Sequence, residues 1–495
     1  MSLLNTCDGS SAANYEREWK QKLRPIVLNL LNQQNVSKVD WQDMFFYVHQ
    51  LCSWTDSGPE CLYRDLLTEV RCYISQAEMR IRQHSDQLTL LKAYIHEWKQ
   101  FYTQTVFEMA RAMLDIGQDA ASATFPKSFR QTGGKTDLGD TVVRQSMLRA
   151  WHDAIFSSIK HRLQDAAMRL VIKERNGEGN SEGPLVVGVR ESYVSLNVWS
   201  EDPLQSYRDN FEKAYIDSTE EFYKARAAQA LEENGIQAYM QYADDKLREE
   251  EERASRYLDA NSVHKLLERC VSVLVTAFEE QLLAECPRLI RANDVHKLRL
   301  LFRLLDRTPS AVESVLSHLD EHVRADGLAD MVAHAHTVAQ DPERYVEQLL
   351  AMFRRFSALV RDAFDDDARF LTARDKAFQE VLNDSTVFKL ELQQSKQKGQ
   401  PLSRAVPAES KCPELLATYC DLLLRKTALS KKLTAEEVDA KLADVLLVLK
   451  YVRNKDVFMR FHKAHLSRRL ILDLSADQDK EETMVNRLRN VKQWQ

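Results

Sequence analysis

Val263-His264-Lys265-Leu266-Leu267-Glu268-Arg269-Cys270-Val271-Ser272-Val273-Leu274-Val275-Thr276-Ala277-Phe278 is the stretch that decides the fold class. Its apolar residues Val263, Leu266, Leu267, Cys270, Val273, Leu274, Ala277 and Phe278 recur at steps of three, four and one. That spacing winds them onto one stripe of a 3.6-residue helix, with His264, Lys265, Glu268 and Arg269 left for solvent.

The pattern is repeated on both sides of this stretch. Leu298, Leu301, Phe302 and Leu305 share a helical face, as do Tyr345, Leu349, Phe353, Phe356, Val360 and Phe364. Val445-Leu446-Leu447-Val448-Leu449 is apolar all round, as in a helix buried on several sides. Only Leu185–Val189 hints at a strand, and it is very short. The chain has thirteen glycines and eleven prolines in 495 residues. An average protein of this length carries about 60 of the two together. So few turn formers favour long helices over a turn-rich β architecture. The expected fold is all-α, an elongated stack of helices, without the short signature of a tetratricopeptide or ankyrin array.

Eight of the glycines fall in two clusters, Gly117, Gly133, Gly134 and Gly139, then Gly177, Gly179, Gly183 and Gly188, which read as two surface excursions. A third irregular stretch, 393–413, holds Gly399, Pro401, Pro407 and Pro413 and marks the main domain boundary.

Hydrophobic residues make up 44% of the chain and charged residues 29%, for a formal net charge of -6. That is enough apolar material for several structural units, and both signs of charge are mixed along it. A nucleic-acid binder would concentrate basic residues on one face, so none is expected as a partner. The first fifteen residues lack an apolar signal core, and no segment nears the ~20 apolar residues that span a bilayer, so no membrane partner is expected. The cysteines Cys7, Cys52, Cys61, Cys72, Cys270, Cys286, Cys412 and Cys420 form no CxxC pair, which argues against a zinc knuckle or a thioredoxin-type motif. The expectation is free thiols, in a protein of the cytoplasm and nucleus.

Enzymatic signatures are missing. Gly134-Lys135-Thr136 looks like the end of a phosphate-binding loop, but the glycine that should stand five residues earlier is Phe129. His318 and His322 share a helical face, with His334 and His336 further on, yet no HExxH accompanies them. The charge run Asp244–Arg253 reads as the solvated face of a helix, and Asp365–Asp367 as a junction that ends one helix and starts the next. No nucleophile–base pattern stands out. No catalytic residue, cofactor or metal is expected.

Two longer stretches carry a resemblance. Tyr207-Arg208-Asp209-Asn210-Phe211-Glu212-Lys213-Ala214-Tyr215-Ile216-Asp217-Ser218-Thr219-Glu220-Glu221-Phe222-Tyr223 and Asn454-Lys455-Asp456-Val457-Phe458-Met459-Arg460-Phe461-His462-Lys463-Ala464-His465-Leu466-Ser467-Arg468-Arg469-Leu470 resemble hallmark segments of the cullin family. By spacing alone, Phe211, Tyr215, Phe222 and Tyr223 are an aromatic core stripe. Lys411–Ala417, Leu429–Thr434, Asp366–Ala377 and Leu90–Ile95 are similar to the cullin-5 branch, and the likeness runs from about Tyr15 to Leu488.

The resemblance implies three stacked five-helix cullin repeats, 1–160, 161–275 and 276–385, and a partial C-terminal cullin-homology domain, 386–495, that opens as a helical bundle. It implies a non-catalytic scaffold of a ubiquitin ligase complex supporting ubiquitin-dependent protein degradation. The first repeat would bind the elongin B/C adaptor with its SOCS-box substrate receptors. In full-length family members the far end holds a RING subunit and a lysine modified by a ubiquitin-like protein. This chain stops early in that domain, so both regions are expected to be missing. The family's adaptor contact uses the helices Trp41–Trp54 and Leu91–Tyr102, which places Gln42, Phe45, His49, Ser53 and Trp54 near the adaptor, with Tyr102 across the groove. Bulky apolar residues usually stand where this chain has Gln42 and Ser53. Phe45, Trp98 and Phe101 read equally well as core. The rival reading is a generic helical tether with no ubiquitin role.

Overall fold

Helix starts in this protein are written in proline and aspartate. Pro25, Pro59, Pro184, Pro342 and Pro413 each occupy a first helical turn, where a missing N–H costs nothing and the fixed φ already suits the helix. Asp86, Asp294, Asp341 and Asp367 cap helices by accepting hydrogen bonds from the first free backbone N–H groups. Thr434 and Glu437 close a reciprocal capping box.

The structure is a computed structural model. It describes residues 9–386 and 410–491, apart from 33, 35, 55–56, 107–137, 180, 198–199, 201 and 339–340. Only the backbone is described at 9–13, 54, 104–105, 138–142, 336–338 and 490–491. The chain runs through α1 Gly9–Glu18, α2 Arg24–Leu31, α3 Lys38–Trp54, α4 Gly58–Arg82, α5 Gln87–Gln100, α6 Leu138–Trp151, α7 Ser157–Arg175, α8 Gly183–Ser195, α9 Lys213–Tyr257 and α10 Ala260–Leu274. It continues through α11 Glu279–Ala292, α12 Val295–Leu305, α13 Pro309–Val338, α14 Pro342–Phe364, α15 Ala368–Asn383, α16 Cys412–Leu424, α17 Ala435–Tyr451, α18 Lys455–Ile471 and α19 Gln478–Val491. One-turn π segments such as Trp19–Leu23 and Phe101–Val106 extend some of these helices. Among the described residues the only β pairing is an isolated antiparallel bridge between Arg425 and Ser475. The expected all-α fold is what forms. Leu185–Val189, the one strand candidate, lies inside α8, where Pro184 sets the first turn.

The contacts divide the chain into two units, 1–226 with 247–270, and 227–246 with 271–495. The first unit is built on aromatics. Phe101 stacks on Trp151 at 4.6 Å, Phe156 meets Tyr193 edge-on at 4.9 Å, and Tyr207, Phe211 and Tyr215 continue the core with no exposure. Gly188 belongs to this core and not to a loop. A Cβ there would lie 2.8 Å from Ile95 Cδ1, so the glycine lets α8 approach α5. Gly183 is likewise buried at the start of α8, whereas Gly177 and Gly179 do turn the chain with positive φ. The other predicted glycine loop lies outside the described residues, except Gly139, whose backbone is in α6.

In the second unit Phe364 and Phe370 stack at 4.0 Å, with Phe302 against both. They close over the junction at Asp365–Asp367, where Asp365 and Asp366 have positive φ and Asp367 caps α15. Val445, Val448 and Leu449 of α17 are buried, but Leu447 is 36% exposed, so α17 presents one side to solvent. Cys270 in the first unit and Cys286, Cys412 and Cys420 in the second pack as small hydrophobes, and burial pushes each thiol up to about 12.

His462 on α18 gives the second unit a pH dependence. Its ring lies parallel to Phe458, 5.6 Å away, and neither nitrogen hydrogen-bonds a described residue. Burial, and after it the Arg469 guanidinium, push its pKa down to about 4, against the opposing carboxylates Glu481 and Asp421; His465 adds to the downward push. An unfolded chain binds the proton near pH 6.5 and the folded chain does not until about pH 4. Stability is therefore full above pH 6.5 and falls by on the order of 3 kcal/mol as the pH drops through that window. Urea unfolding at pH 7 and pH 4.5 should show this loss, and His462→Phe should flatten it. An equal loss in both proteins would assign the effect elsewhere.

Candidate protein-docking face

Ser37 and Asp40 fix the first turn of α3 with reciprocal hydrogen bonds, Ser37 N–H to Asp40 Oδ2 at 3.0 Å and Asp40 N–H to Ser37 Oγ at 3.1 Å. From there Met44, Val48 and Leu51 run along one side of the helix and are buried against Trp19–Leu23 and α4. Helical geometry then decides what faces out. Gln42, Phe45, His49 and Ser53 are all exposed, and four of the six sequence-predicted contact residues thus share the solvent side of α3. Trp54 closes the helix, but its side chain lies outside the described residues.

Phe45 is 43% exposed, its ring 6.4 Å from that of Trp41. Trp98 and Phe101 take the other course and are 2% and 0% exposed. The question the sequence left open therefore divides, with Phe45 outside and the other two in the core. Tyr102 is half-buried. It stacks on Trp98 at 5.0 Å, and Arg144 Nη2 donates to its hydroxyl at 3.1 Å. The structure does not show Tyr102 joined to α3.

Two residues of this face escaped the sequence reading. Val39 is 63% exposed and Phe46 58%. A helical wheel places Val39 and Phe46 opposite Met44, Val48 and Leu51, but only the structure shows that trio to be the buried side. Beside them Tyr47 is half-buried under the Lys22 ammonium, which lies 5.0 Å from its ring and pairs with Glu18 at 2.8 Å.

Among the described residues no group of three or more His, Cys, Asp and Glu is placed to hold a metal ion. His318 and His322 are half-buried on α13, and His322 rests edge-on against Phe356 with its pKa lowered by burial. His334 is exposed, and the side chain of His336 lies outside the described residues. Gly134-Lys135-Thr136 also lies outside them. No helix among the described residues is long and apolar enough to cross a membrane.

The charge run Asp244–Arg253 is not simply a solvated face. In the first unit Glu250 is fully buried and accepts from Arg175 Nε at 2.9 Å and from Tyr223 Oη at 2.8 Å, with Arg253 on the same carboxylate oxygen. In the second unit Arg469, 1% exposed, bridges Glu481, at 2.6 and 2.8 Å, and Asp421, at 2.7 Å. Both clusters use their charges internally, as structural ion networks do.

Comparison with known proteins places these features. Residues 19–493 match the family profile of the Cullin alpha solenoid domain. The chain is 48% identical over 479 residues to "Cullin-5" of Caenorhabditis elegans, covering 96% of this chain and 60% of that protein. It is 29% identical to "Cullin-1" of Dictyostelium discoideum, over 87% of this chain and 53% of that protein, and 27% identical to "Cullin-2" of Caenorhabditis elegans, over 96% and 59%. The chain thus spans between a half and two thirds of the length of these relatives. The match covers both ion networks, the aromatic core of the first unit and α3 alike, and so this helical chain belongs to the cullin family.

Proposed function

We propose that the chain is a non-catalytic scaffold subunit of a cullin–RING ubiquitin ligase, with the outward side of α3 as the seat of its substrate-receptor adaptor. The 48% identity to a cullin-5 supports elongin B/C carrying a SOCS-box receptor as that adaptor. A scaffold of this kind accelerates by proximity. It holds a substrate lysine near the charged ubiquitin carrier and so raises their effective concentration. The division into repeats at 1–160, 161–275 and 276–385, followed by a C-terminal domain from 386, and the recruitment of a RING subunit by that domain, belong to the same proposal, as does work in the cytoplasm and nucleus.

One observation carries the adaptor reading. α3 turns Gln42, Phe45, His49 and Ser53 to solvent while its own core contacts are complete on the other side. An exposed aromatic among polar groups, on a helix whose buried contacts lie on its other side, suits an interface more than a bare surface. Titration calorimetry of the purified chain against an elongin B/C–SOCS-box complex tests it. The expected result is binding that Ser53→Arg weakens at least tenfold with an unchanged circular dichroism spectrum. A folded chain that does not bind, or a Ser53→Arg variant that binds as well as the original, would overturn the reading.

A further inference from the structure

Val39, Asp43, Phe46 and Gln50 follow one another along α3 at steps of four, three and four, and so form one stripe of the helix. Val39 and Phe46 are the two most exposed apolar side chains among the described residues of α3. Asp43 stands between them, half-buried, and makes no hydrogen bond or ion pair with any described residue. The cation that reaches this part of α3, Lys22, lies over the Tyr47 ring one turn further on and pairs with Glu18 at 2.8 Å. The stripe thus offers, side by side, an apolar ring and a carboxylate that has no partner among the described residues.

From this arrangement we infer that Phe46 and Asp43 form a two-point anchor for a protein partner, with Phe46 filling an apolar pocket whose rim carries a lysine or arginine that meets Asp43. The inference rests on the adaptor reading of α3 and shifts its centre. Gln42 and Ser53, where the resemblance led one to expect bulky apolar contacts, supply little apolar area, and Phe46, one turn from Gln42, supplies it instead. A buried aromatic at the middle of a helix-in-groove contact is where binding energy concentrates. A carboxylate at its edge contributes mainly to orientation and association rate, through attraction that salt screens.

The test uses the full chain and the elongin B/C–SOCS-box complex, with affinities by calorimetry and association rates by surface plasmon resonance at two salt concentrations. Phe46→Ala should weaken binding about tenfold to a hundredfold with the fold intact, because the ring packs against little of its own chain. Asp43→Lys should slow association about tenfold at low salt and abolish the salt dependence. If the unaltered chain binds but Phe46→Ala binds equally well, the anchor is overturned while the adaptor reading stands. If Phe46→Ala weakens binding and Asp43→Lys leaves the rate and its salt dependence unchanged, the basic rim is refuted and the two-point anchor with it. If the unaltered, folded chain does not bind, the adaptor reading falls and this inference with it.

Discussion

Glu250→Leu should destabilise the first unit by about 3–5 kcal/mol, more than loss of any single apolar contact on its surface. Glu250 has no exposure, and Arg175, 1% exposed at its side chain, faces it with two nitrogens at 2.9 and 3.2 Å. Arg253, on the same helix, shares the carboxylate. The Tyr223 hydroxyl donates to it, and burial together with the Glu250 charge holds that hydroxyl protonated well above its usual range. Leucine fills much of the volume but leaves a buried guanidinium without the carboxylate it pairs with. Arg175 would keep its bond to Thr219 and its places 5.3 Å from the Tyr215 ring and 5.5 Å from the Phe222 ring, far less than a carboxylate supplies. Arg253 fares better, since Glu174 lies 3.4 Å away. Glu250→Gln keeps the acceptor without the charge and should cost roughly half as much. Amide exchange followed by mass spectrometry reads the effect locally, in peptides from α7 and from residues 247–257. Exchange there that matches the original protein would show the network to be dispensable.

That network also marks where the sequence stops being legible. The helices are written in a 3.6-residue period, and proline and aspartate mark several of their starts, so fold class could be read from Val263–Phe278 outward. Aromatic stripes such as Phe211, Tyr215 and Tyr223 were equally plain, because a large ring at helical spacing has few other uses. Glu250 and Arg253 were hidden by their neighbours. In Asp244–Arg253 nearly every residue is ionic, and composition makes such a run a solvated face. The contrary signal is periodic. Leu247, Glu250, Ala254 and Tyr257 follow at steps of three, four and three, and all are buried. Whether an ion on such a stripe is tolerated depends on Arg175, 75 residues away in sequence. No local pattern contains that information. Gly188 misled for a related reason. A glycine that admits another helix looks, in one dimension, like a glycine that makes a turn. The docking face was half legible. The resemblance led to α3, but which aromatic points outward followed only once Met44, Val48 and Leu51 were seen to hold the other side.

Arg469→Met should cost the second unit about 3–5 kcal/mol at pH 7, with the opposite electrostatic sign. Here the cation is removed and two carboxylates, Asp421 and Glu481, are left 8% and 6% exposed at their side chains. Ser475 still donates to Glu481 at 3.0 Å, and Arg425 stands 3.6 Å from Asp421, so neither acid is wholly abandoned. Lysine is no substitute, because one ammonium cannot make the forked contact to Glu481 and reach Asp421 as well. The sign of the charge predicts a pH response. Without Arg469 the buried His462 beside the two acids loses one of the charges that keep it neutral. The folded variant then gives up less stability to histidine protonation than the original protein does, so its deficit should shrink as the pH falls from 7 toward 5. Removing that charge beside two remaining carboxylates raises the histidine pKa and narrows its share of the acid destabilisation. Urea unfolding of the original protein and Arg469→Met at pH 7 and pH 5 checks both points. A gap that stays constant across that range would mean that Arg469 does not govern the protonation of His462. Replacing all three members by apolar residues of similar volume should recover most of the loss, because the cost lies in the unpaired charges and not in the space they fill.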